Sequence, residues 1–199
     1  MMHPHTACKM VNEIVGLGVF ATQDIPKGTI TWVNDGLDIR IEKKALEKLP
    51  SVCQDYIEKY SYVKDPSEDC IINWDHARYM NHCCFSNTLC TAYNFDVAIV
   101  DIKKNEQITC DYRMFDPCDS EMLLSCQKKN CLKQLKKQKL RPIIDVWDKK
   151  IQDALYELRK LPQQLLDIVP AEDLEDLDNF IKNKKPYRSI LLSIEYLCR

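Results

Sequence analysis

After Gly36 this 199-residue chain has no glycine: all four, Gly16, Gly18, Gly28 and Gly36, lie near its start. Glycine is the residue that enters the left-handed backbone region without steric cost. Everything downstream must therefore turn on Asn, Asp, Ser and Pro. Backbone freedom is concentrated where two apolar runs, Val15–Thr22 and Ile30–Val33, flank the turn Asp24-Ile25-Pro26-Lys27-Gly28, and both runs read as strands. Gly16-Leu17-Gly18 is weak as a dinucleotide fingerprint. It lacks the third glycine, and a turn follows where that fingerprint needs a helix. Two readings stand: a strand relieved by glycine, or a backbone that a ligand approaches closely.

Residues 40–60 place Ile41, Leu46, Leu49, Val52 and Tyr56 at helical spacing, with Pro50 as a break. Tyr60–Val63, Cys70–Trp74, Tyr93–Val100 and Gln107–Tyr112 read as short strands, separated at Asp101–Glu106 by a turn. The pattern predicts a mainly β domain over residues 1–120. After Pro117 the character changes. Residues 121–141 mix seven Lys/Arg with leucines and read as a solvated basic helix, a nucleic-acid contact through 128–141 being the sharper alternative. Val146, Trp147, Ile151, Ala154, Leu155, Leu158 and Leu161 form an amphipathic stripe. Leu174, Leu177, Phe180 and Ile181, then Ile190, Leu191, Ile194 and Leu197, mark further helices. Residues 121–199 are thus expected to be an all-α C-terminal region.

No apolar run reaches the roughly 20 residues of a membrane span, and Met1-Met2-His3-Pro4-His5 lacks the pattern of a secretory signal. The eleven cysteines are odd in number and unevenly spaced. They read as mostly buried thiols in a reducing compartment, which sets an expectation of an intracellular protein, in a nucleus or a bacterial cytoplasm or as a host-directed effector. Charge is uneven: residues 1–120 carry 12 Lys/Arg against 18 Asp/Glu, and residues 121–199 carry 16 against 12. An acidic first part attracts a lysine-rich partner.

The chemistry-bearing stretch is Arg78-Tyr79-Met80-Asn81-His82-Cys83-Cys84-Phe85-Ser86-Asn87, with Glu106-Gln107-Ile108-Thr109-Cys110-Asp111-Tyr112 following. One reading is a metal site, since His and two Cys fall within three positions. The other is a loop holding a small ligand beside Tyr112.

Together with Gly16–Ala21 and Asp24–Gly28, these segments resemble, in order and spacing, the motifs GxGvfA…dIpkG, RfxNHSCxPN and GEELTxDY of SET-domain protein-lysine methyltransferases. The resemblance spans roughly residues 9–116. It implies a mainly β SET fold of small curled sheets, with Asn81-His82 threaded through a later loop as a pseudoknot, a rare exception to unthreaded chains. It also implies S-adenosyl-L-methionine as cofactor, joined by a narrow channel to a groove for a protein substrate with an exposed, histone-like lysine. Cofactor-binding residues by this analogy are Gly16, Leu17, Gly18, Tyr79, Asn81, His82, Tyr112 and Phe115, the last covering the adenine. Tyr112 matches the active-site tyrosine, and Tyr60 and Tyr62 are candidates for a second channel tyrosine, Tyr60 being carried forward as catalytic. The Asn81 amide oxygen can accept from the cofactor's ammonium; the His82 backbone would pair with the adenine edge. The alternative is a non-catalytic SET-like module that binds a partner through its acidic face or helical tail.

Departures from the motifs matter. Cys83 stands for Ser, Ser86 for Pro, and Asn105 for the Gly before Glu106, where Asn tolerates positive φ. Cys110 replaces a Phe or Tyr associated with methyl number, which leaves room for more than one methyl. Many family members bind zinc through a Cys at the position of Cys84 and a following Cys-x-Cys-x4-Cys. Here Cys126 and Cys131 fit, but Leu124 occupies the first place. Structural zinc takes four ligands, so the expectation is no metal, with the helical tail closing the active site instead.

Overall fold

A computed structural model describes residues 1–63, 67, 69–115, 122–123, 126, 128–132, 134–135 and 140–194. From the N-terminus, β1 (Thr6–Asn12), β2 (Gly16–Ala21), β3 (Ile30–Val33) and β4 (Ile39–Ile41) lead into α1 (Lys43–Leu46) and α2 (Ser51–Tyr60). Next come β5 (Ser61–Val63), β6 (Cys70–Ile72), a 3-10 turn (His76–Tyr79), β7 (Asn81–His82), β8 (Thr88–Cys90), β9 (Phe95–Ala98) and β10 (Gln107–Cys110). A second 3-10 turn (Tyr112–Met114) follows, then the pair β11 (Met122–Leu123) and β12 (Gln134–Leu135). The described residues end with α3 (Arg141–Leu158), α4 (Ala171–Ile181) and α5 (Leu191–Ile194).

The sheets are small, ordered β1-β2-β10-β7, β3-β9-β8 and β4-β6-β5. The strands expected from the sequence are present, β3 with the expected bounds and the others shorter. The edge strand β1 was not anticipated: Lys9 and Met10 on it are exposed, and its pattern carries no clean alternation. The helix read across 40–60 breaks at Pro50, which caps α2, while Ile41 belongs to β4. Of α2 only Ile57 is buried, and Val52 and Tyr56 face solvent, so the apolar spacing there marks an exposed face. The turns after Gly36 use asparagine as the composition requires: Asn94, Asn105 and Asn183 take φ of 61°, 67° and 55°.

Two cores result. One gathers Met2, Val19, Ala21, Ile25, Ala98, Ile102 and Ile108. The larger packs Ile30, Val33, Leu89, Phe95 and Val97 of the β3-β9-β8 sheet against Ile144, Trp147, Ile151, Leu155, Leu158, Leu177 and Phe180 of α3 and α4. The helices therefore complete a core that the sheet cannot close alone. Ile144 takes the place in the α3 stripe given to Val146, which is exposed. Gln163 extends this contact to the edge of β3, accepting from the Ile30 N–H (2.9 Å) and donating to the Gly28 carbonyl (3.0 Å). Arg188 adds a polar clamp, donating to the Ala92 carbonyl (2.8 Å) and Asp173 (2.6 Å). Among its described residues the basic stretch expected to be helical instead contributes β11 and β12, and helix begins at Arg141; Lys133 and Lys136–Lys139 lie outside the described residues. Among the described residues no helix is long and apolar enough to cross a membrane.

Candidate functional site

The sheet β1-β2-β10-β7 brings together three segments distant in sequence. β10 runs antiparallel to β2, Ile108 opposite Val19, and parallel to β7, Thr109 opposite Asn81 and Cys110 opposite His82. The Asn81 amide nitrogen donates to the Leu17 carbonyl at 3.0 Å. Its amide oxygen is left to accept from a ligand donor. A Cβ at Gly18 would fall 2.9 Å from that amide nitrogen, 2.6 Å from Gln107 Nε2 and 2.7 Å from Val11 Cγ2. Glycine at 18 is thus what lets Asn81 reach β2. At Gly16, by contrast, nothing lies within 4 Å of an added Cβ, so the surface there is open. An open backbone beside an available amide oxygen fits the ammonium and backbone contacts that S-adenosylmethionine would need.

Asn87 plays a part that the motif did not disclose. Its side chain donates to the Gln107 carbonyl and accepts from the Thr109 N–H, both at 2.9 Å. It serves β10 as a substitute strand partner and holds that strand beside β7. The only signal was its place at the end of the Asn-His motif.

His82 has its side chain buried. Burial lowers its pKa, with Asp111 opposing and Arg113 adding to the shift, so the ring is neutral. Nδ1 accepts from the Tyr112 N–H at 3.1 Å, and Nε2 lies 3.2 Å from Cys84 Sγ. The ring thus ties the two motifs together. Asp111 is held by Arg113 Nε at 2.8 Å, and Arg113 in turn lies over the Trp147 ring at 5.5 Å. This chain of contacts connects the site to α3.

Tyr112 donates from its hydroxyl to the Met80 carbonyl at 2.9 Å. Burial pushes its ionisation far up, so the hydroxyl stays protonated. It lines a cavity of about 360 Å³ between the β4-β6-β5 insert and the core, with Tyr60, Tyr62, Met80 and Phe115. Tyr60 packs edge-on to Tyr79 at 5.5 Å, and Tyr62 to Phe115 at 5.5 Å. The candidate residues therefore fall into two groups. Gly16, Leu17, Gly18, Asn81 and His82 gather at the β2-β10-β7 sheet; Tyr60 and Phe115 line the cavity. Tyr112 belongs to both, through its N–H and its hydroxyl, and Tyr79 is joined to the second group through Tyr60. Phe115 sits on the cavity wall rather than among the first group.

The thiols meet in pairs: Cys83 and Cys126 at 3.9 Å, Cys84 and Cys131 at 3.8 Å. Cys126 also contacts Cys131, and burial raises its pKa and lifts that of Cys84 to about 11. Among the described residues no three His, Cys, Asp or Glu side chains are grouped round one metal centre; Cys118 and Leu124 lie outside those residues. The pair separations nonetheless equal the sulfur–sulfur edge of about 3.8 Å that follows from a tetrahedral centre with Zn–S of about 2.3 Å. Elemental analysis of protein purified without chelator decides the matter. The loss of the first ligand at Leu124 sets the expectation at well under one zinc per chain; one per chain would make Cys83 or Cys118 the replacement ligand.

A family model described as SET domain matches residues 16–113. A solved structure of a Plasmodium falciparum candidate histone methyltransferase shares 18% identity at a TM-score of 0.39, covering 56% of this chain and 95% of that one. No curated protein matches the sequence.

Proposed function

We propose, for a chain that carries a SET domain over residues 16–113, that it is an S-adenosylmethionine-dependent protein-lysine N-methyltransferase. One observation carries this reading: Tyr112 joins the Asn81-His82 group by its N–H to a cavity wall by its hydroxyl. When bound, S-adenosylmethionine supplies a methyl group on a sulfonium. Asn81 and the Gly16–Gly18 backbone would hold it, and the ring-lined cavity would take the substrate side chain. Methyl transfer to an amine requires a neutral nitrogen aligned at near contact. Loss of water on entering the cavity lowers the pKa of the amine and so favours its neutral form. Tyr112, kept protonated and fixed to Met80, sets the channel's width at the point of transfer. The acidic residues 1–120 favour encounter with a lysine-rich, histone-like protein.

Incubation with labelled cofactor and a panel of histones and other lysine-rich proteins is expected to label lysine. Calorimetry with S-adenosylmethionine is expected to show binding to the same preparation. Cofactor binding without labelled lysine rejects the enzyme reading, and absence of both leaves the non-catalytic binding module.

A further inference from the structure

The lining of the cavity holds a group that the transfer reading leaves unused. Asp96 lies on β9, the central strand of its sheet, opposite Trp32 on β3 and Cys90 on β8. It is 2% exposed, yet it lines the cavity. Its neighbours on that wall include Cys110, whose thiol is raised by burial and then by the Asp96 charge. Five rings share the wall: Trp32, Tyr60, Tyr62, Tyr112 and Phe115. The Trp32 indole N–H is buried without a partner among the described residues, and such a group calls for a bound ligand or water.

A cavity lined by an aspartate and five aromatic rings has the composition that receives an ammonium. The rings attract the cation through their π-faces, and the carboxylate takes an N–H. The acceptor nitrogen, however, must be neutral to react. Its lone pair forms the N–C bond as the C–S bond breaks, the electron pair staying on sulfur, after the ammonium's extra proton has left to solvent. A neutral primary or secondary amine can place one N–H on a carboxylate while its lone pair faces the methyl. A neutral tertiary amine has no N–H to place. Dimethyl-lysine can meet a carboxylate only as the cation, and an adjacent negative charge favours that protonated form.

We propose that Asp96 fixes the methylation end point of this cavity, admitting lysine and monomethyl-lysine as acceptors and halting the reaction at dimethyl-lysine. The small Cys110 leaves room for the two methyl groups; Asp96, not lack of space, excludes the third. This inference rests on the lysine-methyltransferase reading above.

Mass spectrometry of the lysine labelled by the wild-type chain is expected to show mono- and dimethyl products without trimethyl. Asp96→Val is expected to lower kcat/KM for the monomethyl acceptor by roughly tenfold and to make trimethyl-lysine appear. Trimethyl product from the wild type, or an unchanged distribution in the variant, overturns the proposal. Should the variant fail to fold, the wild type is titrated with Nα-acetyl-lysine methylamide carrying two or three Nε-methyl groups, read by tryptophan fluorescence. Binding of the dimethyl compound at least fivefold tighter is expected; equal or reversed affinities overturn the role of Asp96. Failure of the methyltransferase reading itself looks different: no lysine is labelled at all, whereas this binding order is measured without any transfer.

Discussion

Replacing Tyr112 by phenylalanine is expected to lower turnover by roughly 100-fold, the scale of a reacting group displaced by about an ångström. The cofactor's dissociation constant should stay within about threefold. The substitution deletes only the hydroxyl that donates to the Met80 carbonyl at 2.9 Å. The Tyr112 N–H bond to His82, which ties the tyrosine to the Asn81 group, is a backbone contact and remains. Removing the hydroxyl leaves a carbonyl in the cavity wall without its donor, and it frees the ring to shift. Single-turnover transfer and calorimetry on the same protein separate the two effects. An unchanged rate removes Tyr112 from the channel, and lost cofactor binding with lost rate means the fold around His82 has failed instead.

The second large effect is on stability, and it follows from the place of the glycines. Gly28 has φ of +91°, and an added Cβ would lie 2.9 Å from the Ala154 carbonyl oxygen and 3.0 Å from the Glu157 carbonyl carbon. Both are backbone atoms of α3 and cannot rotate away. Gly28→Ala therefore combines left-handed strain of about 1–2 kcal/mol with overpacking of about 1–3 kcal/mol. The melting temperature should fall by roughly 5–15 °C. Gly36 supplies the control: its φ is +73° and nothing lies within 4 Å of an added Cβ. Gly36→Ala should cost the strain alone. If the two variants melt together, α3 does not pack on Gly28 as described.

Much of the candidate site was legible because its parts are contiguous strings. Gly16-Leu17-Gly18, Asn81-His82 and Asp111-Tyr112 could be recognised separately, and β10 brings them side by side. The absence of glycine after position 36 also told how later turns would be made, and Asn105 adopts the positive φ expected of it. Asp96 was not legible. It sits in an apolar strand where a single acidic residue passes for a surface position, whereas it is buried on the central strand between Trp32 and Cys90. The basic stretch misled for a related reason. Leucines between lysines satisfy a helical spacing, but periodicity along a chain cannot report the pairing of Met122–Leu123 with Gln134–Leu135 across a loop. On α2 the apolar spacing was real and the inference of burial was not: Val52 is 71% exposed.

The order β1-β2-β10-β7 has a consequence for how the protein comes into being. Asn81 leaves the ribosome well before Thr109, its neighbour in the sheet, and no local fragment contains both. Such long-range pairings pay loop-closure entropy before any contact rewards them. The surface formed by these strands therefore cannot pre-exist the fold; it is created in the same step that closes the domain. A ligand held there binds only the closed chain and draws the folding equilibrium with it. If the proposed cofactor binds there, its cellular supply becomes one of the determinants of how much of this chain stands folded.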